Sequence, residues 1–466
     1  MESWSWPPRY DDSYRPPAGS PYWFPVRETM DPAEREDRIL QRIREVMRYA
    51  WERAPFYRRK WSEAGVHPDG VRSLEDFERI PVVTKAELRD AQARAEPYGD
   101  YLCVEPSEVH HVHGTSGTTG RPTAFGISRG DWRAIANAHA RVLWGMGVRP
   151  SDSVFIGSFF SLYMGSWGAL IGAERLGATV FPFGAGVPGQ TLRAASWMAQ
   201  MRPTCFYGTP SYGLHLAEVA REHGIDPRSF GLRILFFSGE PGASIPGVRR
   251  RLEEIYGALV FDCGSMAEAS PWMSLGESSA RVGMLCWQDL VYTEVCDPRT
   301  YARVPYGSEG TPVYTHLERV SQPMIRLLSN DLTRWESPPT PCGRTYPYLP
   351  RGVYGRIDDM LTVRCENVYP SAIDEVVMAL PGYGGEHRIL VTRDRAMDEL
   401  TVQLEYDAEV AGTGEAAVQR LRGRAETELR RVLGVGARVL PVPPGTLERT
   451  EFKARRVIDA REVLRS

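Results

Sequence analysis

Short apolar runs alternate with helical patterns between residues 130 and 265, and turn-forming residues bound each run. The runs lie at 154–156, 180–181, 205–207, 234–237 and 259–261. Strands of this length, separated by helices, predict βαβ units and a mostly parallel sheet. Ligands bind beyond the carboxyl ends of the strands in such sheets, so the segments 238–241 and 262–268 are candidate parts of a site.

The patterns on either side of this region differ from it. Before it, Asp31 and Pro32 predict the start of a helix, and apolar positions then recur at helical spacing as far as Ala54-Pro55. After it, apolar and polar residues alternate from 284 to 333, which predicts a small barrel or a second sheet.

A Pro/Gly-rich segment at 337–352 is typical of a boundary. Beyond residue 360 the pattern predicts strands near 388–393 and 400–405 and a helix near 415–433. The number of residues in this last part is within the usual range for one domain.

The chain of 466 residues is too long for a single ordinary core. We therefore expect an α/β protein with a large N-terminal domain over residues 1–353, which combines mostly parallel sheets with a small β-rich subdomain. A hinge at 354–359 would connect it to a small, mobile α/β C-terminal domain at 360–466.

Composition excludes several classes of partner. Hydrophobic residues at 42% and charged residues at 25% are typical of a globular protein. The net charge of −3 lacks the excess of positive charge that is typical of nucleic-acid binding. No apolar run is long enough for a membrane span and the N-terminus lacks a signal pattern, so we expect a cytoplasmic protein with no membrane partner. Lysine occurs only at 60, 85 and 453 among 56 basic residues, which makes each lysine informative.

A loop rich in glycine and hydroxyl side chains follows the β-like segment 111–113. Backbone N–H groups and hydroxyls of such a loop suit phosphate oxygens. It is not a Walker loop, because Arg121 and Pro122 follow the last glycine where that motif has lysine. A plain turn between two strands is the alternative. The loop is Gly114-Thr115-Ser116-Gly117-Thr118-Thr119-Gly120-Arg121-Pro122-Thr123.

This loop resembles the phosphate loop of the adenylate-forming superfamily, which includes acyl-CoA ligases, peptide-synthetase adenylation domains and luciferases. The segments 55–60 and 80–89 are similar to the N-terminal helical region of its phenylacetate-CoA ligase branch. Segments 355–360 and 445–453 resemble its hinge and its C-terminal lysine motif. The resemblance implies an enzyme that uses ATP and Mg²⁺ to convert a carboxylic acid into an acyl-adenylate.

The resemblance assigns roles to five residues. Glu268 would anchor Mg²⁺ through one carboxylate, with substrate phosphates supplying other ligands. Asp331 would hold the ribose hydroxyls, and Asn330 before it replaces a glycine but also tolerates a positive φ. Arg356 would contact the nucleotide, and Asp358 would be the pivot of the hinge. Lys453 would reach the acyl and phosphate oxygens.

Each of these residues has a simpler alternative: a solvated glutamate or lysine, or an ordinary acidic turn. The sequence also departs from the family pattern, because Cys263 replaces an aromatic residue before the Glu268 motif and Phe452 replaces a glycine before Lys453. The cofactor-binding residues implied are Thr115, Ser116, Gly117, Thr118, Thr119, Gly120, Gly239, Glu240, Pro241, Asp262, Asp331 and Arg356.

By resemblance, the pocket for the acid lies near 157–168, 207–211 and Phe237. Phe160, Tyr163, Tyr207 and Gly264 are the candidate substrate-binding residues, and the large flat side chains favour an aromatic acid. The same aromatic residues are compatible with an ordinary core. Some relatives carry zinc near the positions of Ser278, Cys286, Thr340 and Cys342, but two cysteines are too few for a closed site, so we expect no zinc here.

Cys365 occupies a position that is usually glycine in the family, on the loop that lines the channel for the acceptor. A side chain there would narrow the path of a thin ligand such as pantetheine. CoA is therefore a doubtful acceptor, although neutral drift in a wide channel is nearly as good an explanation. An amine or another nucleophile is the alternative.

We therefore expect ATP-dependent adenylation of an aromatic or aryl-alkanoic acid, with transfer to CoA or another nucleophile. One alternative is a specialised-metabolism enzyme that forms a C–N or N–N bond, with an amine acceptor or with nitrite as the adenylated oxyanion. A second alternative is an inactive nucleotide-binding protein. The sequence leaves the oligomeric state open, with a homodimer among the options.

Overall fold

The computed structural model describes residues 5–17, 19–115, 123–184, 189–357, 359, 361–363, 366–394, 397–449 and 456–460. The helices are α1 Pro25–Glu28, α2 Pro32–Arg53, α3 Pro55–Glu63, α4 Leu74–Glu78, α5 Lys85–Arg94, α6 Arg129–Met146, α7 Met164–Leu176, α8 Thr191–Met201, α9 Pro210–Glu222, α10 Pro246–Tyr256, α11 Pro370–Met378, α12 Ala408–Thr413 and α13 Glu415–Leu433. None of the helices in these ranges is long and apolar enough to cross a membrane.

The strands are β1 Val109–Gly114, β2 Ala124–Ser128, β3 Ser153–Ile156, β4 Thr179–Phe181, β5 Cys205–Gly208, β6 Ile234–Phe237, β7 Leu259–Asp262, β8 Leu275–Gly276, β9 Met284–Cys286, β10 Val291–Cys296, β11 Glu309–His316, β12 Leu327–Leu328, β13 Asp331–Arg334, β14 Tyr348–Leu349, β15 Val353–Arg356, β16 Leu361–Val363, β17 Glu366–Val368, β18 Tyr383–Asp394, β19 Met397–Tyr406, β20 Arg438–Val442 and β21 Val457–Asp459.

The central sheet is parallel, in the order β4-β3-β5-β6-β7, as the apolar runs predict. Alternate residues of its strands enter two different cores. Tyr207 and Phe236 pack with α6 and α7 on one face, whereas Phe206 and Phe237 pack with α8, α9 and α10 on the other. Burial on both faces explains why these strands are continuously apolar.

A second, antiparallel sheet runs in the order β10-β11-β13-β15, which confirms the prediction from the alternating pattern. Asp331 and Arg356 are register partners on its last two strands. Asn330, immediately before β13, has a φ of 60°, so the turn adopts the left-handed conformation that its asparagine tolerates.

Buried charges join the N-terminal segment to the rest of residues 1–353, which we call the large part. Asp31 caps α2 by accepting hydrogen bonds from the backbone N–H groups of the first turn. Glu28 is fully buried and pairs with Arg141 at 3.2 Å and Arg344 at 2.8 Å, while Arg141 also pairs with Asp289 at 2.8 Å. Arg344 lies in the segment 337–352, so this segment packs into the large part even though its composition is typical of a boundary.

The C-terminal part has its own sheet, in the order β20-β19-β18-β21, and its own core with α11 and α13. The strands and the long helix predicted for this part are confirmed. It contacts the large part along α10, where a Cβ on Gly247 would lie 3.0 Å from the carbonyl oxygen of Met378. Arg251 donates a 3.4 Å hydrogen bond to the carbonyl oxygen of Tyr383 at the same contact.

Candidate active site

A cavity of about 360 Å³ opens at the carboxyl ends of β6 and β7, beside the start of β13 and the end of β15, and the C-terminal part covers it. The large part contributes Lys85, Thr115, Gly239, Glu240, Pro241, Asp262, Cys263, Gly264, Ser265, Met266, Ala267, Glu268, Met284, Asp331, Val353, Gly355, Arg356 and Asp359. The C-terminal part contributes Pro370, Ser371, Asp374, Arg456 and Val457. This position beyond the carboxyl ends of parallel strands is the one expected for a ligand site.

Many of the residues predicted from the sequence meet in this cavity. They are Thr115, Gly239, Glu240, Pro241, Asp262, Gly264, Glu268, Asp331 and Arg356. Phe160, Tyr163 and Tyr207 are not among its described lining residues. Ser116, Gly117, Thr118, Thr119, Gly120, Asp358, Cys365 and Lys453 lie outside the described residues, and their roles stay predictions.

Glu268 has the environment of a cation ligand. It lies on the short 3₁₀ turn Ala267–Ala269 and is 1% exposed. Neither of its carboxylate oxygens has a hydrogen-bond partner among the described residues, and Lys85 Nζ is 3.3 Å from Oε1. A buried carboxylate that lacks hydrogen bonds and faces a cavity fits a hard divalent cation such as Mg²⁺, which would neutralise phosphate charge there.

Lys85 is a site residue that the sequence analysis does not assign. It opens α5, whose N-terminus is held by a capping box between Thr84 and Glu87. The feature of the sequence that could have identified Lys85 is the scarcity of lysine in the chain. Together with Arg356 and Arg456, Lys85 places positive charge around the cavity, and this arrangement favours a polyanionic ligand.

Asp331, predicted to hold the ribose, and Arg356, predicted to contact the nucleotide, are close together. Arg356 Nη1 lies 3.6 Å from Asp331 Oδ1, and Arg356 Nε lies 3.7 Å from Asp359 Oδ2. The pairing of β13 with β15 sets this geometry, since Asp331 and Arg356 are opposite each other in the register.

Asp262, at the end of β7, is a buried carboxyl group in the cavity wall. Burial is the main cause that raises its pKa to about 7, and the negative charge of Glu277 adds to the effect while a hydrogen bond from Ser244 opposes it. Glu277 in turn accepts hydrogen bonds from the backbone N–H of Asp262 and from Arg249. Asp262 can therefore either donate or accept a hydrogen bond near neutral pH.

Three hydroxyl groups meet behind the wall formed by Gly239 and Gly264. Tyr207 Oη lies 2.7 Å from Ser238 Oγ, and Tyr163 Oη lies 3.4 Å from Tyr207 Oη and 3.5 Å from Ser238 Oγ. We call Tyr163, Tyr207 and Ser238 the hydroxyl triangle. Burial raises the pKa of both tyrosines, so their phenols remain protonated.

The two glycines bring the hydroxyl triangle close to the cavity. A Cβ on Gly239 would lie 3.2 Å from Tyr163 Oη, and a Cβ on Gly264 would lie 3.3 Å from Ser238 Cβ. Both glycines have positive φ values, 92° and 133°, so side chains are disfavoured there for conformational reasons too. Phe160 lies elsewhere, with its ring against Trp167 at 5.1 Å.

Ser278, Thr340 and Cys342 form a hydroxyl–thiol cluster. Ser278 donates a 3.4 Å hydrogen bond to Cys342 Sγ, and Thr340 Oγ1 is 3.1 Å from the same sulfur. Within the described ranges, no group of three or more histidine, cysteine, aspartate or glutamate residues is arranged to hold a metal ion.

Comparison with known families places this fold and site. The model of the AMP-binding enzyme family matches residues 68–314, and that of the AMP-binding enzyme C-terminal domain matches residues 365–461. The phenylacetate-coenzyme A ligase of Pseudomonas putida is 34% identical over 424 residues, 91% of this chain and 93% of that protein. The phenylacetate-coenzyme A ligase of Thermus thermophilus is 33% identical over 436 residues, 91% and 96% of the two chains.

Solved structures of 2-hydroxyisobutyryl-CoA ligase are more similar. The structure in the postadenylation state in complex with R3-HIB-AMP is 62% identical, with a TM-score of 0.95 over 98% of this chain and 96% of that chain. The structure with 2-HIB-AMP and CoA in the thioesterification state is also 62% identical, but its TM-score is 0.77 over 99% and 97% of the chains.

The fold and these similarities define an AMP-forming ligase, with a cavity between the large part and the C-terminal part. The chain belongs to the family of AMP-binding enzymes, in its phenylacetate-CoA ligase-like branch.

Proposed function

We propose that the protein activates a small, hydroxylated carboxylic acid of the 2-hydroxyisobutyrate type with ATP and transfers the acyl group to CoA. The observation that carries this proposal is the hydroxyl triangle next to Gly239 and Gly264. Three neutral hydroxyl groups lie directly behind these two glycines, and each can donate or accept a further hydrogen bond, which suits an acid that has its own hydroxyl group.

Similarity supports the same class of acid. At 62% identity over nearly the whole chain, the 2-hydroxyisobutyryl-CoA ligase is far more similar than the phenylacetate-coenzyme A ligases at 33–34%. The aromatic acid favoured by the sequence remains the competing candidate, since those ligases match over 91% of the chain.

The chemistry has two balanced steps. In the first, a carboxylate oxygen of the acid attacks the α-phosphorus of ATP, and pyrophosphate leaves. Mg²⁺ held at Glu268 would neutralise phosphate charge, and Lys85 and Arg356, which line the cavity, would add positive charge. Lys453 would take the role that the family resemblance assigns to it. In the second, the CoA thiolate attacks the acyl carbon, the single bond between that carbon and the phosphate oxygen of AMP breaks, and AMP leaves.

CoA is proposed as the acceptor because the relatives named above are CoA ligases. Cys365, the residue that argues for another acceptor, lies outside the described residues. An amine acceptor, or nitrite as the adenylated oxyanion, therefore remains the alternative that experiment must decide.

The test is pyrophosphate release with ATP and Mg²⁺ across 2-hydroxyisobutyrate, 3-hydroxybutyrate, isobutyrate, phenylacetate, benzoate and nitrite, each with and without CoA. We expect the highest kcat/KM with 2-hydroxyisobutyrate, stimulation by CoA and an acyl-CoA product by mass spectrometry. A preference for phenylacetate or benzoate would overturn the hydroxy-acid proposal. Release that CoA does not stimulate would point to another acceptor, and no release with any acid would support an inactive nucleotide-binding protein.

A further inference from the structure

Arg449 lies between two glutamates that belong to different parts of the protein. Its Nη2 is 2.7 Å from Glu405 Oε2, and its Nε is 3.5 Å from Glu218 Oε2. Glu405, on β19, is fully buried, while the side chains of Arg449 and Glu218 are 21% and 30% exposed. We call Glu218, Arg449 and Glu405 the ion triad.

The ion triad holds the chain just before the segment that carries Lys453. Besides pairing with Arg449, Glu405 accepts a 2.6 Å hydrogen bond from the backbone N–H of Leu447. Arg449 precedes Lys453 by four residues in the sequence. One hydrogen bond and one ion pair to the same buried carboxylate therefore hold Leu447 and Arg449 in place.

A second buried pair holds the chain just after it. Arg456 Nε is 2.7 Å from Glu386 Oε1, and the carbonyl oxygen of Arg456 accepts a 2.6 Å hydrogen bond from the backbone N–H of Ile389. Arg456 follows Lys453 by three residues and lines the cavity. The Glu405–Arg449 and Glu386–Arg456 pairs both lie within the C-terminal part, so any displacement of that part leaves them intact.

Glu218 is the member of the ion triad that belongs to the large part. It lies on α9, whose first turn is capped by Thr209 and whose Ser211 donates a hydrogen bond to Glu240, a cavity residue. The helix therefore connects the cavity wall to Glu218 as one rigid element. The ion pair from Glu218 to Arg449 therefore connects this helix of the large part to the C-terminal part.

The arrangement in which Glu218 meets Arg449 is the one that resembles the postadenylation structure. The TM-score is 0.95 with that state and 0.77 with the thioesterification state of the same ligase, at the same identity. The relative positions of the two parts therefore differ between this protein and the thioesterification structure.

We infer that Glu218 is a positioning residue for the adenylation step: by pairing with Arg449 it fixes, through Glu405, the entrance of the segment that carries Lys453. This inference rests on the proposed two-step function. Glu218 does not touch the reacting atoms, and the second step, which uses another arrangement of the two parts, does not depend on it.

The test separates the two half-reactions in Glu218→Gln. Adenylation is followed as pyrophosphate release at saturating ATP, with 2-hydroxyisobutyrate or whichever acid of the panel above the unmodified enzyme uses fastest. Thioester formation is followed from the purified acyl-adenylate of the same acid plus CoA. We expect kcat of adenylation to fall about fivefold, the range for a partly exposed ion pair, with KM for acid and ATP and the rate of the second step unchanged.

Two further variants serve as controls. Glu222→Gln changes an exposed glutamate one turn further along α9, for which the described part of the chain shows no ion pair, and it should leave both half-reactions unchanged. Glu218→Asp keeps the charge and should restore most of the adenylation rate. Raising the salt concentration should slow adenylation by the unmodified enzyme more than by Glu218→Gln, because salt screens an exposed pair.

A parallel fall in both half-reactions, or an equal effect of Glu222→Gln, would mean a general structural role and would overturn the inference. An unchanged adenylation rate in Glu218→Gln would overturn it too. These outcomes are independent of which acid is the substrate, so a wrong choice of hydroxy acid does not imitate a failure of the ion triad.

Discussion

Inside the cavity, Lys85 Nζ forms an ion pair with Glu268, at 3.3 Å from Oε1. Within the described residues, the Glu268 carboxylate accepts no hydrogen bond. The ammonium therefore neutralises the carboxylate that we assign to Mg²⁺. A metal ion at Glu268 must compete with this ion pair, because both cations use the same buried anion.

Replacing Lys85 should make the metal site stronger in the enzyme without nucleotide. In Lys85→Met the Glu268 carboxylate loses its counter-charge, so we expect Mn²⁺, used as a paramagnetic substitute for Mg²⁺, to bind several-fold more tightly in electron paramagnetic resonance titrations. Glu268→Gln should abolish this binding and lower kcat of adenylation by about 100-fold. Equal Mn²⁺ affinity in the unmodified protein and in Lys85→Met would contradict the competition.

Tyr163 should limit the size of the acid. Its ring lies 5.7 Å from that of Phe159 and its hydroxyl belongs to the triangle. Tyr163→Ala removes the ring next to Gly239. We expect the ratio of kcat/KM for phenylacetate to kcat/KM for 2-hydroxyisobutyrate to rise by about 10- to 100-fold, the range by which apolar pocket contacts discriminate between substrates.

Tyr163→Phe is the matched control, because it removes the hydroxyl and keeps the ring. It should weaken discrimination between 2-hydroxyisobutyrate and isobutyrate without admitting phenylacetate. If both variants show the specificity of the unmodified enzyme, then Tyr163 belongs to the core rather than to the acid pocket.

Asp262 should make stability depend on pH. Its pKa of about 7 in the folded protein exceeds the ordinary value of 3.8, so between these pH values the folded state holds a proton that the unfolded chain has released. The contribution of Asp262 to the free energy of unfolding therefore decreases as pH rises through this window and is constant above it.

Asp262→Asn removes this titration and retains an oxygen that can accept the hydrogen bond from Ser244. As pH rises from 5 to 8, the difference in free energy of unfolding between the variant and the unmodified protein should change by about 3 kcal/mol in favour of the variant. Thermal melts at both pH values measure the change, with Asp37→Asn on the exposed surface of α2 as control. A difference in Tm that is independent of pH would show that Asp262 titrates near its ordinary value.

The turn at Asn330 gives a prediction about backbone conformation. Because its φ is 60°, Asn330→Ala should lower stability by about 1 kcal/mol, whereas Asn330→Gly should be nearly neutral. Asp331 follows directly, so the alanine variant should also raise KM for ATP more than KM for the acid. Identical Tm values for the two variants would argue against a left-handed turn.

Sequence patterns predict the fold well where burial and periodicity coincide. The parallel strands are continuously apolar because both faces are covered, and the φ at Asn330 follows from the tolerance of asparagine for that conformation. The motifs predict most of the cavity wall on the large part, since Gly239, Asp262 and Glu268 follow strands whose ends meet at one edge.

Long-range geometry accounts for what the sequence misses. Three charged residues line the cavity from elements that are distant in sequence: Lys85, Asp374 and Arg456. Their residue types alone do not distinguish them from surface residues. Aromatic residues pose the opposite difficulty. Phe160 and Tyr207 have the same apolar character, yet Phe160 packs against Trp167 while the hydroxyl of Tyr207 contacts Ser238.

The pairing of Glu28 with Arg344 joins residues that are 316 positions apart. During synthesis, Glu28 emerges on the order of half a minute before Arg344 at ribosomal rates of 5–20 residues per second. Until then the buried Glu28 carboxylate has only one of its two native guanidinium partners, that of Arg141. The native contacts between the N-terminal segment and Arg344 can therefore form only after nearly three quarters of the chain has been synthesised.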